Sequence, residues 1–183
     1  MSFFSNLQYK TKKSVVFLIW FFKNPIEHIK RLPRWSLRNI LLVHFLFSVV
    51  SGTIAGLISL KFWNILFGVL AFPFISMTLT LVLSSFIYYY FQVFEKKSVD
   101  FVQLLSVVVF ANFPFFVFQI ASNYVPIISI VGLLFTGMLL IVGLTENFKM
   151  TKRRAIRLVG TLWFLIFLVW LSNRFSVEKL DTF

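Results

Sequence analysis

Few residues of this chain could do chemistry. Its 183 residues include six carboxylates, two histidines and no cysteine, so a thiolate nucleophile, a disulfide framework and a cysteine metal site are all excluded. His44 is the one ionisable residue well inside an uncharged stretch. A histidine there could shuttle a proton, and an ionisable group inside a membrane is a functional hypothesis by default. Without a buried carboxylate or a second histidine it makes a poor relay and a poor metal site, so a bond to a neighbouring helix is the favoured reading. Asn112, Pro114 and Gln119 form a second group within FANFPFFVFQ, 110–119. A proline removes a helical N–H and crowds the carbonyl four residues back, so Pro114 is expected to kink its helix, and Pro73 likewise. In lipid the freed carbonyl needs another partner; Asn112 and Gln119 could supply one or bond across helices. Lining a path for a substrate is the rival role for these residues, and shaping the helix is the stronger one. Glu95, Asp100 and Glu146 stand at the ends of apolar stretches, where capping accounts for them. HExxH, GxSxG and a phosphate-cradling glycine loop are all missing. The expectation is a chain that is no enzyme, with no catalytic residue, metal or cofactor.

The elements that hold these residues are membrane spans. The chain is 59% hydrophobic and 13% charged with mean hydropathy +0.89, whereas soluble domains are about 45–50% apolar and about 25% charged. Residues 39–60, 62–94, 101–145 and 158–173 contain no Lys, Arg, Asp or Glu. A spanning helix needs about 20 apolar residues. The run 101–145 suits two helices with the turn SNYVP, 122–126, between them. Five spans follow, near 38–60, 66–90, 101–122, 126–145 and 155–173, with Tyr88, Tyr89 and Tyr90 in the interfacial aromatic belt. The runs do not alternate apolar and polar, which argues against a β-barrel. The expected fold is an all-α integral membrane protein: a basic segment 1–36, a five-transmembrane-helix bundle 37–173 and a short tail 174–183.

The net charge of +12 is distributed as a topology signal. Residues 1–38 carry eight Lys/Arg against one acid, and ENFKMTKRRAIR, 146–157, carries five against Glu146. With five spans and a cytoplasmic N-terminus, 15 of the 18 basic residues fall on the cytoplasmic side, as the positive-inside rule requires. The C-terminus is then outside, in a bacterial-type cytoplasmic (inner) membrane. Setting orientation is the first role of these charges. The sharper one is that Lys30, Arg31, Arg34, Arg38, Lys152, Arg153, Arg154 and Arg157 bind anionic lipid headgroups or an acidic partner. Nucleic acid has no supporting motif.

The start KTKKSVVFLIWFF imitates a signal peptide but no small-residue cleavage site follows. Residues 15–22 are too short to cross, so they lie in the interface or tuck against the bundle. Asn24 as N-cap, Pro25 at the first helical position and Glu27 completing a capping box predict a short amphipathic helix over 25–32 on the cytoplasmic leaflet. His28 belongs to its solvated face.

Small residues let helices approach closely in lipid. Ser48, Gly52 and Gly56 recur every four residues in the first span, with His44 one turn earlier. Ser129, Gly132, Thr136 and Gly143 form a seam in the fourth. Both stripes are helix contacts, within the chain or between copies, and the internal contact is favoured.

Several stretches together resemble the short prokaryotic members of the YIP domain family. FKNPIEHIKRLPRWSLRNILLV (22–43) is similar to the family's asparagine-proline and basic piece leading into the first span. LLSVVVFANFP (104–114) resembles its third span, VPIISIVGLLFTGMLLIVGL (125–144) its proline-then-glycine turn and fourth span, and KRRAIRLVGTLWFLIFLVWL (152–171) its basic loop and last span. Order and spacing carry the resemblance, which covers about 22–173. It implies a non-enzymatic membrane protein. Eukaryotic relatives associate with prenylated Rab-type GTPases in membrane trafficking; this chain departs from them in lacking a long cytoplasmic N-terminal domain and their aspartate/glycine-proline motif. The function expected is a scaffold or accessory subunit that binds partner membrane proteins, with homo-oligomers as a further possibility. The alternative is a transporter or lipid-handling component with a path lined by kinked helices.

Overall fold

The structure, a computed structural model, describes residues 16–122, 125 and 127–180, with side chains up to 168. The basic stretch Lys10, Lys12 and Lys13, most of the turn 122–126 and the end of the tail lie outside the described residues. All regular structure among the described residues is helical: α1 (16–23), α2 (Pro25–Ile29), α3 (Leu37–Ile58), α4 (Phe62–Glu95), α5 (Phe101–Ala111), α6 (Phe113–Ala121), α7 (Ile128–Phe148) and α8 (Lys152–Leu180). Four of these units are long and apolar enough to cross a membrane: α3, α4, α5 with α6, and α7.

Local chemistry explains most boundaries. The Ser36 hydroxyl accepts from the N–H of Asn39 at 3.4 Å to start α3, and Asp100 accepts from Val102 N–H at 3.0 Å to start α5. Leu60 turns left-handed at φ 54° and ends α3. Both α4 and α7 finish on a left-handed lysine, Lys96 and Lys149. The next N–H then reaches back six residues, from Lys97 to Phe91 O (3.1 Å) and from Met150 to Leu144 O (3.4 Å), closing each helix.

Three helices depart from the sequence reading, and the last, α8, runs from Lys152 to Leu180 rather than over 155–173. The second helix runs from Phe62 to Glu95 rather than over 66–90, because nothing in that uncharged run breaks it. Pro73 is accommodated by a wide π-helical turn, Phe67–Ala71, in which the N–H of Phe72 donates to Phe67 O. At about 1.5 Å per residue, 34 residues exceed the thickness of the hydrocarbon core, about 30 Å. The helix expected over 25–32 covers only Pro25–Ile29, and the capping box does not form. Asn24 caps without a side-chain bond, and Glu27 turns instead to Lys30 Nζ at 2.6 Å. That bond to Lys30 draws Glu27 below its ordinary value of 4.5.

The broken helix α5–α6 is the central post, packed by α3, α4 and α7. Its most apolar stretch is 56% buried against 22% for α4. α7 also carries α8 on its outer side. The segment 16–36 is tucked against the bundle. Phe17 and Phe21 pack on Phe110, Phe22 stacks on Phe113, and Trp35 closes over Phe110 at 5.5 Å. Ile29 is fully buried, and its carbonyl accepts from Asn147 Nδ2 at 2.8 Å, which ties α2 to the end of α7.

Candidate functional site at the broken central helix

The α3 stripe meets a matching stripe on α4. Gly52 and Gly68 lie so close that a Cβ on either would strike the other's backbone carbonyl. A Cβ at Gly56 would come within 2.7 Å of Ile65 Cα and 2.8 Å of Asn64 O. These contacts fix the register of two antiparallel helices. His44 lies eight residues before Gly52, and Ser76 eight residues after Gly68. The register therefore brings them together, and Ser76 Oγ and His44 Nε2 bond at 3.2 Å. His44 is 1% exposed, packs edge-on against Phe116, and leaves Nδ1 without a partner.

One turn further along α4, Thr80 meets the break itself. Asn112 is both the C-cap of α5 and the N-cap of α6, with Pro114 in the first turn of the new helix. Proline supplies no N–H there and its ring excludes a continuous ladder. The Asn112 amide donates across to Thr80 Oγ1 at 3.2 Å. Ser51 on α3 donates to the carbonyl of Phe116 at 2.6 Å, and Ser84 to the carbonyl of Thr80 at 2.7 Å. Phe47 stacks on Phe113 at 4.4 Å. These polar groups around the break are thus bonded in pairs and sealed by rings.

The other sequence-selected residues are dispersed. Pro73 is buried beside the π turn, and Gln119 is half-buried, its carbonyl accepting from Ser122. Ser48 is fully buried and bonds within its own helix, to Phe45 O. Gly132 faces Phe115 and Phe118, and Gly143 faces Val107 and Ile29. Thr136, between them, is 8% exposed with an unpartnered hydroxyl. These glycines are filled by the chain's own helices, so they offer no free groove to another protein.

At the far end of the bundle the basic residues gather. Arg154 holds both oxygens of Glu95 at 2.9 Å, and the Glu95 side chain is only 5% exposed. Glu95 is therefore an ion-pair partner rather than a cap, while Asp100 does cap. Lys30 is engaged by Glu27; Arg31, Arg34, Arg38, Lys152, Arg153 and Arg157 are exposed. Among the described residues no three of His, Asp, Glu or Cys come together as a metal site would need.

Sequence reasoning missed Gly68, Ser76, Thr80 and Ser84. Their signal was present, since 68, 72, 76, 80 and 84 form one face at four-residue spacing with a single large residue, Phe72. It also missed Ser51 and Asn147, which have no local signature.

Long apolar helices around a broken central one define a multi-pass, all-helical membrane protein. The family model of the Yip1 domain matches residues 19–173, and the chain belongs to that family. No curated protein and no solved structure matches it.

Proposed function

We propose that this Yip1-domain protein is a non-enzymatic scaffold or accessory subunit that crosses the membrane five times from a cytoplasmic N-terminus. The uncharged stretch 158–173 within α8 makes the fifth crossing. Orientation follows from the clustering of basic loops at one end, where Lys97 Nζ donates to Lys149 O and Arg154 pairs with Glu95.

The observation that carries the scaffold reading is the closed interior, in which Asn112 bonds Thr80, His44 bonds Ser76 and aromatic rings fill the space between. Its glycine stripes are spent internally, so partners must meet the outer surfaces, among them that of α4, whose apolar stretch is only 22% buried. Copurification from mild detergent tests this: a stoichiometric membrane partner is expected, and monomer alone across several detergents overturns it.

A second reading, transport or lipid handling, is favoured by one feature. A helix broken at mid-bundle beside a buried histidine with a spare ring nitrogen resembles the discontinuous helices of transporters. Flux or lipid exchange in reconstituted vesicles, abolished by His44→Ala or Asn112→Ala, would replace the scaffold reading with this one.

A further inference from the structure

The ends of α4 and α7 are 53 residues apart in sequence, from Lys96 to Lys149, yet they are built alike and lie side by side. Each places a lysine at positive φ, 52° and 53°, where glycine sits without steric conflict and other residues at a disadvantage. Neither ammonium has a hydrogen-bond or ion-pair partner among the described residues. Lys97 Nζ, donating to Lys149 O at 3.2 Å, ties the two turns together. Lys152 and Arg153 are exposed beside them. Of the nearby acids, Glu95 is neutralised by Arg154, and Asp100 is engaged at the start of α5; Glu146 faces solvent one turn back on α7. Unpaired positive charge remains on a surface that also has apolar side chains: Tyr89, Val93 and Phe94 are 62%, 63% and 70% exposed on the last turns of α4.

We propose that this paired turn is a seat for the headgroup phosphate of an anionic phospholipid, with Lys96, Lys149 and Lys152 as its charges. A lipid fits better than a soluble acidic protein because the cations adjoin an outward apolar rim, matching a phosphate joined to acyl chains. The seat rests on the orientation proposed above only for its place on the cytoplasmic leaflet.

The test reconstitutes the full chain in nanodiscs of phosphatidylcholine with a minor share of phosphatidylglycerol, and measures retained lipid by native mass spectrometry. Wild type should retain phosphatidylglycerol preferentially. Lys96→Gly with Lys149→Gly relieves both left-handed residues, so the fold is kept. The pair should weaken the preference about 25-fold, roughly fivefold for each cation removed beside an anionic surface. Lys61→Gln, exposed at the opposite end of the bundle, should leave the preference in place. An unchanged preference in the glycine pair, or an equal loss in Lys61→Gln, overturns the seat. Ser98→Cys labelled with a membrane-impermeant maleimide separates the two readings. Reaction in intact cells overturns the orientation alone, since both nanodisc leaflets have one composition and lipid retention still decides the seat.

Discussion

Placing a methyl group on Gly52 should separate α3 from α4 and, two turns away, draw His44 off Ser76. The Cβ of Gly52→Ala would land on the carbonyl of Gly68 and 3.0 Å from Phe72 Cδ1. The atom met first belongs to a backbone, which cannot rotate aside, so the helices must part by about 1 Å to regain contact at about 3.5 Å. A gap of that size forfeits about a quarter to a half of each contact's attraction, and overpacking costs about 1–3 kcal/mol. Alanine recovers about 1 kcal/mol in helix propensity. The net loss is then about 0–2 kcal/mol, or up to roughly thirtyfold in the unfolding equilibrium. The His44–Ser76 bond, already 3.2 Å long, would not survive the shift, and interhelical bonds of this kind average about 0.6 kcal/mol in membranes. Gly160→Ala is the control: nothing lies within 4 Å of its Cβ, so it should gain up to about 1 kcal/mol. Reversible unfolding in mixed micelles, followed by tryptophan fluorescence, compares the two. Equal stability of Gly52→Ala and Gly160→Ala would refute both the close approach and the register that places His44.

Three further outcomes are expected. Arg154→Ala strands the Glu95 side chain, 5% exposed, and should cost about 1–3 kcal/mol; Glu95→Gln added to it should recover part, and no loss in the unfolding midpoint would mean the pair is idle. Asn147→Leu removes the donor to Ile29 O and should loosen α2 by about 1 kcal/mol, seen as faster amide exchange over 26–31 with α7 unchanged. Thr80→Val should cost about 0.6–1.7 kcal/mol by leaving the Asn112 amide unmatched, and Asn112→Ala in the same background should add little; additive losses would show that the two do not bond.

The kink at Pro114 was legible because proline acts on its own helix, and Asp100 was legible as a cap for the same reason, whereas the Ser36 cap went unread. The capping box at Glu27 was misread because Lys30, three residues on, competes for the same carboxylate and holds it at 2.6 Å. The stripe His44–Ser48–Gly52–Gly56 could be seen at its spacing, but what it meets could not, since the α4 face contains only one glycine and its hydroxyls look like ordinary small residues.

Composition and charge alone establish a helical chain in a membrane, with turns wherever Lys, Glu or Asp interrupts the apolar runs. Hydrocarbon excludes charge and unsatisfied backbone residue by residue, so that information is local. Which helix takes the centre, that Gly52 rests on Gly68, that Arg154 reaches back 59 residues to Glu95, and that Phe21 docks on Phe110 belong to the tertiary structure. Apolar helices attract one another almost equally in every register. Only close packing, read in three dimensions, selects one.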